Sequence, residues 1–276
     1  MSANNPMVEK RKADVQSLSR AIAILHAFSL QTPELGVTEI SRVVGLHKST
    51  TFRLLSSLIA EGLVSQDPET GRYRLGLGLL ELAGRVQVHM EVRQAARPYM
   101  QPLAQQLGAT VNIAILDRGM SFNIEQAVPA GYLVVNYGWV GRRTPLHATS
   151  TGKILLAWRP TAEVQALLSS TLESYTPNTI TRMDLLAKEL EDIRATGYAI
   201  GREEYEVGLN AIAAPVRDRT GDVIAALSVS GPAYRLSPDS FEPAAQQLIA
   251  AAQAVSRQLG FVMREQDAGL AAVAGR

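Results

Sequence analysis

Residues 38–62 read TEISRVVGLHKSTTFRLLSSLIAEG, and they set the architecture of the N-terminal quarter of the chain. Ile40, Val43 and Val44 recur at helical spacing, Thr38 has the chemistry of a helix N-cap, and Gly45 breaks the helix. A second helix is predicted over residues 48–61, with Phe52, Leu55, Leu58 and Ile59 on one face and Gly62 at its end. Upstream, Leu18, Ile22 and Leu25 form an apolar stripe on a helix that starts near Ser17 and stops at Gln31-Thr32-Pro33. Downstream, residues 63–66 and 72–75 flank Asp67-Pro68-Glu69-Thr70-Gly71, which reads as two short strands around a turn. Gly76 and Gly78 mark a corner after it.

Helix, short helix, glycine turn, longer helix and hairpin is the order of a winged helix-turn-helix. In such a module the longer helix enters the major groove of duplex DNA by its N-terminal end, which must carry short polar and basic side chains. Here that end is His47-Lys48-Ser49-Thr50-Thr51-Phe52-Arg53. Lys48 and Arg53 can neutralise phosphate or reach guanine, while Ser49, Thr50 and Thr51 permit close approach. Arg72 and Arg74 alternate with Tyr73, so a wing could lay both arginines on phosphate. Residues 1–60 hold seven Lys/Arg against four Asp/Glu, a local excess of three positive charges. The alternative is a helical module that binds protein through a solvated polar face. Asp67, Glu39, Glu61 and Glu69 favour that alternative by diluting the positive charge.

The whole chain bounds these readings. Its 276 residues suit two domains or one large one, and 46% hydrophobic against 19% charged residues can bury a substantial core. The net charge of +1 means that any contact with nucleic acid must come from local placement of charge. The chain has no cysteine, which excludes disulfide scaffolds, thiolate metal sites and cysteine nucleophiles. The four histidines, His26, His47, His89 and His147, lack metal-ligand spacing. Apolar runs such as VNIAIL are of strand length, no secretory signal opens the sequence, and a cytoplasmic location without membrane contact is expected.

The fold class expected is α+β. Residues 1–14 form a flexible arm, 15–78 the winged helix-turn-helix, 79–97 a linker helix ending near Pro98, 98–264 a sensing domain, and 265–276 a flexible tail. In the sensing domain strands are expected over 110–116, 121–128, 132–137, 198–202, 210–216 and 222–230. Helices are expected over 99–107, 150–158, 161–168, 183–196 and 237–261. Turn signals at Asp117-Arg118-Gly119 and Thr220-Gly221-Asp222 make the sheet antiparallel.

Five separated blocks, in order along the chain, carry a family resemblance: VQSLSRAIAIL (15–25), VTEISRVVGLHKSTTFRLLSSLIAEGLV (37–64), GRYRLGLGLLELA (71–83), RRTPLHATSTGKILLA (142–157) and NAIAAPVRDRTGDVIAALSVSGPAYRL (210–236). Together they resemble the isocitrate lyase regulator (IclR) family of bacterial transcription factors. The resemblance implies a winged-helix DNA-binding domain, a linker helix used in dimerisation and a GAF/PAS-like ligand-sensing domain. No cofactor is implied.

A pocket can also be argued from the residues. Ile224, Ala226, Ser228 and Ser230 share one face of a strand by period two, so two hydroxyls stand on a small apolar surface. Leu209, Ala211 and Ala213 form a second such row. The stretch His147-Ala148-Thr149-Ser150-Thr151-Gly152-Lys153 enters a helix whose first amides could hold the carboxylate of a small metabolite. The resemblance maps pocket residues onto Ser150, Thr151, Gly201, Leu209, Ala211, Ser228 and Ser230. Relatives that bind short 2-oxo acids can carry an acid where this chain has Gly201. Glu203 could substitute for it, and Tyr132, Trp139, His147 and Tyr205 could instead line a pocket for a larger or aromatic acid. Thr151-Gly152-Lys153 lacks the remaining elements of a P-loop. No G-x-S-x-G elbow supports Ser228, Lys153 and Glu203 as a hydrolase set, and the run Glu203, Glu204, Glu206 reads as a solvated strand end.

The leading expectation is a ligand-responsive regulator, a repressor, that binds a roughly palindromic duplex as a homodimer or tetramer and is not an enzyme. The alternative is a metabolite-binding or catalytic domain whose N-terminal helices serve only for assembly.

Overall fold

The structure, a computed structural model, describes residues 6–29, 31–84, 90–130, 138–169 and 171–262. The strand expected over 132–137 and the tail over 265–276 lie outside the described residues. The chain divides into two compact units, Met1–Gln87 and Val88–Arg276.

The first unit comprises α1 (Pro6–His26), α2 (Val37–Val44), α3 (Lys48–Ala60), β1 (Val64–Gln66), β2 (Tyr73–Leu75) and α4 (Gly78–Gly84). Helix α1 begins at Pro6, well before Ser17. The intervening Glu, Lys, Arg and Ala residues are strong helix formers, and proline suits a first helical position, so the helix extends into the stretch expected as an arm. Helix α2 is capped at Gly36 and not at Thr38. The Glu39 carboxylate accepts the Gly36 amide at 2.6 Å, which places Thr38 inside the helix. Gly45, at φ 66°, closes it.

Ile24, Phe28, Leu35, Ile40, Leu55, Leu58, Val64 and Tyr73 form the core of this unit. The exposed Leu18 and Ile22 lie outside it, because Ile24, flanked by Ala21 and Leu25, sets the inward face of α1. Strands β1 and β2 pair antiparallel, Val64 opposite Leu75, and Leu35 bridges Tyr73 on the other side. A Cβ at Gly76 would lie 2.2 Å from the Gly62 carbonyl oxygen, so only glycine lets the chain leaving the hairpin cross the end of α3 so closely.

The second unit comprises α5 (Met90–Leu107), β3 (Thr110–Asp117), β4 (Met120–Ala127), β5 (Arg143–Thr144), α6 (Ser150–Ala157), α7 (Thr161–Leu167), α8 (Met183–Thr196), β6 (Ala199–Arg202), β7 (Leu209–Arg217), β8 (Val223–Pro232) and α9 (Pro238–Gln258). Its six strands pair antiparallel in the order β5-β4-β3-β8-β7-β6. The β3–β4 hairpin turns on Arg118 and Gly119, both at positive φ, as a tight two-residue turn requires.

The linker helix expected over 79–97 crosses residues 85–89, which lie outside the described residues. Its second half belongs to α5, which continues through Pro98 and Pro102 without ending. Both prolines are on the exposed side, so their missing amides and bulky rings fall away from the core. Val92, Ala95, Ala96, Met100, Leu103 and Ala104 pack inward.

Period-two alternation sorts the central strands between two cores. Val111, Ile113, Ile115, Ile212, Ala214, Val216, Ala225, Leu227 and Val229 face α5 and α9. Ala213 and Ala226 face the opposite core, built with α6 and α8. On that second face the rows continue past the core as Asn112, Ala211, Ser228 and Ser230, which line an open cleft. Ile224 departs from the row expected for it. The ladder pairs Val216 with Ala225 and Arg217 with Val223, so Ile224 sits at a bulge and packs toward α5 and α9.

Candidate functional sites

Helix α3 presents Lys48, Ser49, Phe52 and Arg53 to solvent and holds Thr50 half-buried. The Lys48 and Arg53 side chains form no ion pair among the described residues. Thr51 corrects the sequence reading. It is fully buried and its hydroxyl donates to the His47 carbonyl at 3.1 Å. Three residues of helix separate it from Leu55 on the inward face, whereas Phe52, expected in the core, is 55% exposed.

The two wing arginines are engaged within the unit. Arg72 donates to the Glu34 carbonyl at 3.0 Å and to the Glu39 carboxylate at 2.8 Å. Arg74 donates to the Ser65 hydroxyl at 3.2 Å and lies 3.6 Å from the Glu34 carboxylate. The Gly36 amide, followed by the Arg72 guanidinium, holds the Glu39 carboxyl below its ordinary range. Arg72 therefore ties the wing to the start of α2, while Arg74 stays largely exposed.

The cleft of the second unit encloses about 520 Å³, its mouth included. Ser150, Thr151, Gly201, Leu209, Ala211, Ser228 and Ser230 all line it. The start of α6 forms one wall. Thr149 caps that helix, accepting the Gly152 amide at 3.2 Å and donating to the Pro145 carbonyl at 2.8 Å. The Ser121 hydroxyl donates to Thr151 Oγ1 at 2.9 Å, which fixes the first turn against β4. A Cβ at Gly152 would stand 2.3 Å from the Leu146 carbonyl oxygen, so glycine there lets the helix start press onto the preceding loop. A Cβ at Gly201 would approach the Ser150 amide nitrogen at 3.5 Å. With glycine at 201, the space before that amide stays open to the cleft, where a helix N-terminus favours negative charge.

Glu204, and not Glu203, brings a carboxylate to this site. Glu203 sits at φ 54° and its carboxylate accepts the Gly208 amide at 2.6 Å, away from the cleft. Glu204 lines the cleft. Its Oε1 meets Lys153 Nζ at 2.7 Å, and Lys153, completely buried, also reaches Glu189 at 3.1 Å and the Ile200 carbonyl at 3.1 Å. Burial pushes the Glu204 carboxyl up, against the opposing pull of Lys153.

Trp139 and Tyr205 also line the cleft, as do Asn112 and Asn123. His147 does not. Its ring nitrogen pairs with the Glu173 carbonyl at 2.8 Å, and its ring lies 5.9 Å from that of Tyr175. Tyr132 falls outside the described residues. Sequence reasoning missed Asn112, Asn123 and Glu204 as cleft residues. Lys153 carried a usable signal: a lone cation in a helix otherwise of small and apolar residues must find an acid when buried. Among the described residues, no group of three or more His, Asp or Glu side chains could hold a metal ion, and no helix is long and apolar enough to cross a membrane.

Two family models match the chain: the IclR helix-turn-helix domain over residues 17–68 and the bacterial transcriptional regulator IclR C-terminal domain over residues 84–257. The chain is 38% identical over 248 residues to the HTH-type transcriptional regulator XynR of Escherichia coli, covering 90% of this chain and 98% of that one. It is 37% identical over 246 residues to the HTH-type transcriptional repressor AllR of Klebsiella pneumoniae, covering 89% and 90%. Among solved structures, an IclR homolog from Microbacterium hydrocarbonoxydans complexed with 4-hydroxybenzoate superposes with a TM-score of 0.77 at 29% identity, covering 88% of this chain and 98% of that one. The α3 surface, the sensing cleft and these matches converge: the chain belongs to the IclR family and is a DNA-binding transcriptional regulator.

Proposed function

We propose that the cleft binds a small organic acid and that binding changes the affinity of the α3 surface for an operator. The observation that carries this reading is the space that Gly201 leaves before the Ser150 amide, in a cleft that Ser228 and Ser230 also line. The homolog complexed with 4-hydroxybenzoate supports a carboxylate as the shared feature of the ligand. The acid acts by binding one arrangement of the DNA-binding units better than another.

On the DNA side Lys48, Ser49, Thr50 and Arg53 contact the duplex, with Phe52 available to a thymine methyl group. Arg74 reaches phosphate from the wing, and Arg72 contributes by holding the wing in place. The protein acts as a cytoplasmic repressor, not an enzyme. It binds a roughly palindromic operator as a dimer or a pair of dimers, since a two-fold assembly sets two α3 helices into successive major grooves. The likeness to the repressor AllR supports the sign of regulation.

The test is titration of a labelled palindromic duplex at several salt concentrations, with and without added carboxylic acids. Affinity falls steeply as salt rises. Ser230→Leu, which fills the cleft, abolishes the effect of the acid and leaves basal DNA binding intact. Unchanged DNA affinity in a Lys48→Ala, Thr50→Ala, Arg53→Ala triple variant would remove α3 from the interface.

A further inference from the structure

Two buried side chains of the cleft carry an oxygen that no donor in the protein serves. Asn112 is 4% exposed. Its amide nitrogen donates to Ser230 Oγ at 3.3 Å, while its Oδ1 accepts from nothing. Glu204 is 7% exposed. Its Oε1 is taken by Lys153, while its Oε2 is unpartnered. Only four buried side-chain atoms among the described residues are left this way, and two of them belong to this one cleft. A buried acceptor without a donor is costly, and a bound molecule that brings the donor recovers the loss.

We infer that the cleft is built for a polyhydroxylated acid, whose carboxylate takes the start of α6 and whose hydroxyl groups donate to Asn112 Oδ1 and Glu204 Oε2. The inference rests on the reading of the cleft as the effector site. Three features select this class. First, Asn112 lies on β3 and Glu204 just beyond β6, which in the strand order β3-β8-β7-β6 are three spacings of about 4.8 Å apart. A two- or three-carbon acid cannot serve both ends, whereas a five- or six-carbon chain hydroxylated along its length can.

Second, the acceptors suit hydroxyl groups better than an ammonium. Asn112 is a neutral amide, and Lys153 already stands against Glu204. Third, the remaining polar lining is dominated by hydroxyls, among them Ser228, Ser230, Thr144 and Thr149, together with the amide of Asn123 and the exposed carboxylate of Glu206, all able to hydrogen-bond a polyol. The side chains of Trp139 and Leu209 offer carbon surface to the C–H face of such a chain. A plain alkanoate would leave both acceptors unserved. An aromatic monoacid with a single hydroxyl would serve one at most.

The experiment uses the full-length protein and needs no variant for its first arm. Six-carbon aldonates covering the diastereomers are compared with hexanoate and 6-aminohexanoate by thermal shift and calorimetry. At least one aldonate raises Tm with concentration and binds at least about tenfold tighter than either comparator, the scale expected for loss of one hydrogen bond to a buried acceptor. Asn112→Ala lowers aldonate affinity about tenfold and leaves hexanoate affinity unchanged, with circular dichroism confirming the fold.

If hexanoate or 6-aminohexanoate binds as tightly as every aldonate, and Ser230→Leu abolishes that binding, the inference is overturned while the effector site stands. If an aldonate binds Ser230→Leu as well as the parent protein, its site is elsewhere and the inference also falls. If no carboxylate in the set binds, the reading of the cleft as an organic-acid site fails, and the inference with it.

Discussion

The α3 surface and the cleft are both polar, yet they differ in how far their groups are already engaged. On α3 the cations Lys48 and Arg53 stand in water without ion pairs among the described residues. In the cleft most polar side chains are buried and several are tied to one another, from Ser121–Thr151 to Lys153–Glu204. A surface that meets a long polyanion needs little preorganisation, because phosphate contacts are many and individually tolerant. A cleft that must tell one small molecule from another needs a rigid frame, with only a few atoms left for the ligand. The wing arginines fall between these extremes, since Arg72 is held by Glu39 whereas Arg74 is mostly exposed.

The largest expected effect lies in the cleft frame. Lys153→Met leaves Glu204 as a buried carboxylate without its cation, and this should destabilise the second unit by about 3–5 kcal/mol in chemical denaturation. A loss under about 1 kcal/mol would mean that water reaches the pair and that the frame is looser than described. Next come the two close approaches, one in each unit. Gly76→Ala and Gly152→Ala each force a backbone shift and should cost about 1–3 kcal/mol. Gly76→Ala should weaken DNA binding with the acid response retained, and Gly152→Ala the reverse. The same response in both variants would erase the functional separation.

On the α3 side, Lys48→Ala and Arg53→Ala should each reduce the slope of log affinity against log salt by about 1, with stability changed by less than about 0.5 kcal/mol. Arg72→Ala should show the opposite signature, a lower Tm with little change in slope. A full unit of slope lost in Arg72→Ala would return that residue to the DNA interface.

The smallest effect is pH-dependent. The Glu39 carboxyl is held below its ordinary 4.5, so its clamp contributes stability above that value and loses it as pH falls through the folded-state value. The Tm difference between the parent protein and Glu39→Gln should therefore be constant near neutrality and shrink below pH 4.5. A difference that grows on acidification would reverse the assigned role.

How much of this was legible in the sequence follows from the range of the interactions involved. Helices α2 and α3 and the hairpin could be read because their signals lie within a few residues: apolar spacing, Gly45 and the turn at Asp67–Gly71. The alternation along β7 and β8 exposed the cleft rows for the same reason. The direction of Thr51 and Phe52 was harder, since neighbouring positions on one helix differ by only about 100° and a buried threonine bonded to its own backbone leaves no mark in composition. Pro98 misled because the local cost of an interior proline, one lost hydrogen bond and a crowded carbonyl, is outweighed here by the long-range packing of Val92, Ala96, Met100 and Leu103 on either side of it. The pairing of Lys153 with Glu204 spans 51 residues and depends on strand order, which no local pattern encodes. Ile224 was lost to a bulge, where the two-residue period slips.

The complete burial of Lys153 has a consequence for chemical labelling. Among the lysines whose side chains the structure describes, Lys48 and Lys188 are exposed and Lys153 is sealed inside the sheet unit, so an acylating reagent can reach its amine only when that unit opens. The rate at which mass spectrometry finds the label at this position therefore clocks the opening of the sensor, and a molecule that closes the cleft would slow that clock in proportion to its occupancy.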